Sequence, residues 1–141
     1  MKKVLFTFLV CLCSISFAQN GNKVEYFSND GITISLISKD CINTAKGTAK
    51  QYLFIEIINT TASDLNVSFD KEIWYDNKCH TCNSNSIEYK VEVIVPANST
   101  IGGNCESNNK TLRIFSKMLN LDKVRKLSKY ELKNIAVETV K

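Results

Sequence analysis

The sequence predicts an all-β fold, an antiparallel, immunoglobulin-like β-sandwich of about six to seven strands that is stabilised by disulfides. Three observations carry that expectation. Apolar and polar residues alternate with period two in several short runs, clusters of Asn, Ser, Thr, Asp and Gly separate those runs, and helical periodicity is nearly absent. A compact β-barrel is the alternative closure of the same strands.

The chain opens on Lys2 and Lys3, followed by an apolar run from Val4 to Val10 that continues weakly to Phe17. Ser16, Phe17 and Ala18 form a small-x-small cleavage site, so residues 1–18 read as a secretory signal peptide cleaved after Ala18. The protein is then expected to be secreted or periplasmic, in a compartment where cysteines oxidise. Cys11 and Cys13 leave with the leader, and Val10 and Leu12 before them are not the small residues that a lipid-anchored cysteine needs. No later run approaches the ~20 apolar residues of a membrane-spanning helix. The short n-region with paired lysines reads as bacterial. In that setting the Asn-x-Ser/Thr triplets at Asn59, Asn66, Asn98 and Asn109 reflect the abundance of asparagine and not glycosylation.

Residues 19–30 are polar and are expected to form a flexible lead, and residues 31–141 a single domain, large enough to build its own core. Ile32, Ile34 and Leu36 alternate with Thr33 and Ser35, the pattern of a half-buried strand. Residues 51–58 are apolar on both faces apart from Glu56, which places that strand in the middle of a sheet. After the turn cluster 59–64, Leu65, Val67 and Phe69 begin a long strand running to Tyr75, with a bulge expected near Asp70 and Lys71 and with Trp74 expected in the interior. Ile87, Tyr89, Val91, Val93 and Val95 mark the clearest strand, which Pro96 closes. Ala97-Asn98-Ser99-Thr100, followed by Gly102 and Gly103, makes a turn or edge segment. Leu112, Ile114 and Phe115 mark another strand, Asn120–Lys129 a short helix or structured loop, and Tyr130–Val140 the last strand.

Charge is unevenly spread. Residues 19–109 carry 7 basic and 11 acidic side chains, whereas residues 110–141 carry 9 basic and 3 acidic. Arg113, Lys117, Lys123, Arg125 and Lys126 are candidates for a basic surface, which attracts an anionic polymer through long-range Coulomb forces. The favoured account is that these cations complement the acidic remainder of their own domain, since they alternate with apolar residues and form no block.

Cys79-His80-Thr81-Cys82 is the motif with chemistry in it. Cys-x-x-Cys is the spacing of thiol oxidoreductases, and a histidine beside the first cysteine lowers its pKa. Those enzymes place that cysteine at a helix N-terminus within a βαβ unit, and the flanks here, Asp76-Asn77-Lys78 and Asn83-Ser84-Asn85, offer no helix. A zinc site would use Cys79 and Cys82 with both Cys41 and Cys105, or three of these cysteines with His80, the cysteines in thiol form. Disulfides are the favoured reading. Four cysteines allow three connectivities, with Cys79–Cys82 and Cys41–Cys105 preferred, the first pinning a loop and the second tying early and late loops. Asp64, Asp70, Glu72 and Asp76 lack the fixed spacing of a calcium loop. The single histidine, His80, excludes a readable Ser/His/Asp triad, and no Gly-rich phosphate loop follows a strand.

Glu72-Ile73-Trp74-Tyr75-Asp76 before the cysteine pair, Val95-Pro96-Ala97-Asn98 before a Gly-rich turn with Cys105, and Ile114–Leu121 before Tyr130-Glu131-Leu132 resemble small, uncharacterised exported four-cysteine proteins of the Bacteroidota. The resemblance runs from about residue 31 to the end and implies secretion and a four-cysteine framework, with no catalysis attached. The expectation is therefore an exported, non-enzymatic interaction or accessory module of the cell envelope, with no catalytic residues and no cofactor or metal. Its expected partners are another envelope protein or an anionic surface polymer, with no nucleic acid and no transmembrane segment. A periplasmic thiol-redox or metal protein using Cys79 and Cys82 is the alternative.

Overall fold

The computed structural model describes residues 22–84, 86–106 and 110–140, so the leader and its cleavage site lie outside the described residues. The strands form two antiparallel sheets. In the first, β1 (Lys23–Asn29) lies beside β2 (Ile32–Asn43), which lies beside β3 (Thr48–Asn59). The far edge of β3 is shared by β7 (Ser99–Gly102) and β8 (Arg113–Met118). In the second, β4 (Leu65–Tyr75) is central, with β9 (Leu127–Thr139) along one edge. The two-residue β5 (Lys78–Cys79) and β6 (Lys90–Val95) divide the other edge. Among the described residues the one helical element is a 3-10 turn at Ile87–Tyr89, and none is long and apolar enough to cross a membrane.

Alternation explains the core. Ile32, Ile34 and Leu36 of β2 and Ile55 and Ile57 of β3 meet Leu65, Val67, Phe69, Ile73 and Tyr75 of β4 in one buried cluster, which Val91, Val95, Leu112, Ile114 and Leu132 complete. β3 is central, as its two apolar faces require. Its outward Phe54 is 2 % exposed because the chain leaving β7 packs over it. Gly103 donates its N–H to the Ile55 carbonyl at 3.2 Å, and Ile55 donates to Leu112 at 3.0 Å. A Cβ on Gly103 would collide with the Leu112 carbonyl and crowd the Phe54 ring, so only glycine fits there. Asn59, 1 % exposed, closes the top of the domain. Its Nδ2 donates to the carbonyls of Ser63, Val95 and Pro96, and its Oδ1 accepts from the N–H and the hydroxyl of Thr61.

Four expectations are corrected. Residues 23–29 are not a lead but β1. An Asp30-Gly31 turn with φ of 48° and 79° joins β1 to β2, the two-residue geometry that fits strand twist. Tyr26 Oη accepts the Leu132 N–H of β9 at 2.9 Å and ties the two sheets at that edge. The strand expected from Ile87 begins at Lys90, because Ser86 caps a 3-10 turn that leaves Ile87 83 % exposed. Of the two readings of the Asn120–Lys129 segment the structured loop holds over residues 120–126, where Leu121 is exposed, and Leu127–Lys129 already belong to β9. Trp74 lies on the outer face of β4, half-buried beneath the Lys129 ammonium, 4.5 Å from its ring centre. The bulge lies on β9, where three steps from Ala136 to Lys133 match two from Ser68 to Asp70 and Asn134 adopts φ 53°.

Candidate functional site

The cysteine motif follows a second tight hairpin. Asp76 and Asn77, at φ 48° and 62°, turn β4 back into β5, and Cys79 is bonded to Cys82, Cα atoms 5.7 Å apart. Between them Thr81 is 4 % exposed and acts as a substitute strand. Its hydroxyl donates to the Lys71 carbonyl at 2.9 Å and accepts the Ile73 N–H at 2.8 Å, while the His80 N–H reaches the Ile73 carbonyl at 2.9 Å. The disulfide loop thereby continues the ladder of β4 where neither β5 nor β6 reaches. The Cys82 N–H points at Cys79 Sγ at 3.0 Å, and the Glu72 carboxylate lies 3.9 Å from Cys82 Sγ.

Cys41 is bonded to Cys105, 64 residues apart in sequence and 5.5 Å between Cα atoms. This bridge holds the excursion after β7 against β2, away from the other pair. Among the described residues no group of three or more His, Cys, Asp or Glu side chains could hold one metal ion, and the four cysteines weighed for zinc, with or without His80, are divided between two separate disulfides. The four acidic residues weighed for calcium are separately engaged. Asp64 accepts from the Ala97 N–H, Asp70 from Asn134, and Asp76 from the Lys126 N–H, while Glu72 pairs with Lys133 at 2.7 Å.

The candidate basic residues divide. Lys123 lies exposed on a turn, Lys117 is half-buried on β8, and Lys126 is exposed with its backbone tied to Asp76. Arg113 and Arg125 are linked instead by a row of rings. The Arg113 guanidinium lies 5.0 Å from the Tyr52 ring centre, Tyr52 is 5.9 Å from Phe115, Phe115 is 6.2 Å from Tyr75, and Arg125 lies 4.6 Å over Tyr75. His80 meets the same Tyr75 edge-on at 5.2 Å. Tyr75 Oη donates to the Phe115 carbonyl at 2.9 Å. Burial raises the Tyr75 phenol above its ordinary pKa, with Arg125 acting against that shift.

Lys71 is the residue that sequence reasoning missed. It occupies the inward phase of β4, between Phe69 and Ile73, is 4 % exposed, and donates from Nζ to the Thr111 carbonyl at 2.8 Å. Desolvation lowers its pKa from 10.5 to about 8. The signal was present in the sequence, since a charged residue falls in phase with Leu65, Val67, Phe69 and Ile73. Compared with protein-family models, with curated proteins and with solved structures, the chain matches none.

Proposed function

We propose that this chain is an exported, non-enzymatic interaction or accessory module of the cell envelope, built as an immunoglobulin-like β-sandwich that presents the ring-linked arginines to a partner. One observation carries the reading. The Cys79–Cys82 loop is latched into β4 through Thr81, so the motif with redox spacing is used as a strand substitute that fixes Tyr75, His80 and Arg125 in place. Two disulfides and a leader-like N-terminus support export, as does the resemblance to exported four-cysteine proteins of the Bacteroidota. The partner is another envelope protein or an anionic surface polymer, and its affinity falls as salt screens Arg113 and Arg125.

A specific contact favours a second reading, a thiol-redox protein. The Cys82 N–H at 3.0 Å from Cys79 Sγ would stabilise a Cys79 thiolate after reduction. The Glu72 carboxylate beside Cys82 works in the opposite direction on that sulfur. Thiol alkylation and intact mass of the mature chain separate the two. The interaction module gives no labelled cysteine before denaturation, no bound zinc, and an unlabelled Cys79–Cys82 pair in a glutathione buffer poised at about −200 mV. Two labels confined to Cys79 and Cys82, with the fold intact, would establish the redox reading instead.

A further inference from the structure

β6 covers the edge of β4 from Leu65 to Asp70, and β5 covers Trp74 and Tyr75. Between them the edge is closed by the Thr81 latch, and the inward side of β4 opens sideways at Lys71 and Ile73 into a cleft of about 330 Å³. That volume stands at the lower end of the ~300–1,000 Å³ typical of small-molecule sites. The 3-10 turn Ile87–Tyr89 bounds it on one side and the approach to β8 on the other. Its lining is divided by chemistry. Ile73, Ile114 and Phe115 are apolar, whereas Lys71, Lys90, Lys110 and Arg113 set four cations against the one carboxylate of Glu88.

We infer that this cleft binds a small amphipathic carboxylate, with its anionic head on the Lys71 ammonium and its apolar body along Ile73, Ile114 and Phe115. Lys71 carries the argument. An ammonium has three N–H donors, and the Thr111 carbonyl takes one. Among the described residues no carboxylate forms an ion pair with it. A buried charge without a counter-ion is costly, and an entering carboxylate relieves that cost while the apolar body leaves water. The depressed pKa of Lys71 has the same origin. Lys90, Lys110 and Arg113 add the positive field that draws an anion in. A neutral ligand would leave Lys71 unpaired, and a dianion would carry its second charge toward the apolar wall.

The test titrates the oxidised mature chain with octanoate by calorimetry, with 1-octanol, acetate and inorganic phosphate as comparison probes. Octanoate binds saturably, Lys71→Met and Lys71→Gln each weaken it by about tenfold or more, and Lys123→Gln on the exposed turn leaves it unchanged. The 13Cε resonance of Lys71 moves on octanoate addition. Raising the pH from about 7 to about 9 weakens binding to the wild type and not to Lys71→Met, as Lys71 loses its proton. The charged and titratable groups around Lys71 are Glu88, Tyr89 and Lys90 from the turn and β6, Lys110 and Arg113 before and in β8, Asp70 and Glu72 beside it on β4, and Lys133 of β9. The Lys71→Met comparison separates Lys71 from all of them. Equal affinity in the Lys71 variants, equal binding of 1-octanol, tighter binding of phosphate, or no saturation by octanoate at about 10 mM would each overturn the proposal. Where a variant fails to fold, an unmoved Lys71 resonance in the wild type would overturn it equally.

Discussion

Lys71 is the residue at which burial and charge conflict most sharply. Its pKa in the folded protein, about 8, lies below the 10.5 of the unfolded chain. Between those values the unfolded state holds the proton that the folded state has lost, so stability rises with pH across that window. Below pH 8 both states are charged and the full burial penalty applies. Tyr75 and Tyr130 act in the opposite sense, since burial raises both phenols and the unfolded chain ionises first above about pH 10. Urea midpoints of the wild type are therefore expected to climb from about pH 8 toward pH 10 and then fall. In Lys71→Met the climb is absent and the midpoint at pH 7 is higher, because a flexible apolar side chain replaces a buried cation. A climb that persisted in Lys71→Met would assign it to another group.

At the scale of elements, β4 shows both what period-two reading captures and what it misses. The alternation from Leu65 to Asp70 was legible residue by residue, because one face packs and the other meets water, but the bulge expected near Asp70 and Lys71 broke a phase that in fact runs on to Tyr75 and so put Trp74 on the wrong face. Illegible was how its second edge is paired, because that depends on a loop whose Thr81 hydroxyl replaces backbone groups, and a lone threonine between cysteines carries no periodic signal. The same limit applies to β1 and to the Asn120–Lys129 segment. A polar strand is held by its turn and by Tyr26, and the three-residue spacing of Leu121, Val124 and Leu127 reflects separate turn and strand contacts instead of a helix face. Thr81→Val tests the latch. It keeps the shape but leaves the Ile73 N–H and Lys71 carbonyl unpaired, at an expected loss of about 2–3 kcal/mol in equilibrium unfolding. Thr81→Ser restores most of that loss. Equal stability of all three would show that water serves the β4 edge as well as Thr81 does.

Over the whole molecule, the two disulfides differ in what they constrain. The Cys79–Cys82 bridge closes a loop of 3 residues in separation, removes less freedom from the unfolded chain than the long bridge does, and also shapes the Thr81 latch. The Cys41–Cys105 bridge spans a separation of 64 and includes β3, β4 and β6 in its loop, so it restricts the unfolded chain far more. It also anchors the excursion that covers Phe54, a face whose burial the two apolar faces of residues 51–58 announced, although no pattern pointed to the polar segment that covers it. Charge divides on the same scale, since Lys133 of the basic C-terminal segment pairs with Glu72 of the acidic part, while Arg113 and Arg125 remain on the ring ladder. Replacing both Cys41 and Cys105 by Ala is accordingly expected to cost about 4 kcal/mol by the loop-entropy relation and to lower Tm by roughly 15 °C. Replacing both Cys79 and Cys82 costs about 2 kcal/mol by the same relation, with local hydrogen exchange concentrated at Lys71 and Ile73. Calorimetric unfolding of the two double variants decides the matter. Were the short bridge to prove the costlier, the latch around Lys71, and not restriction of the unfolded chain, would be the main source of disulfide stability in this fold.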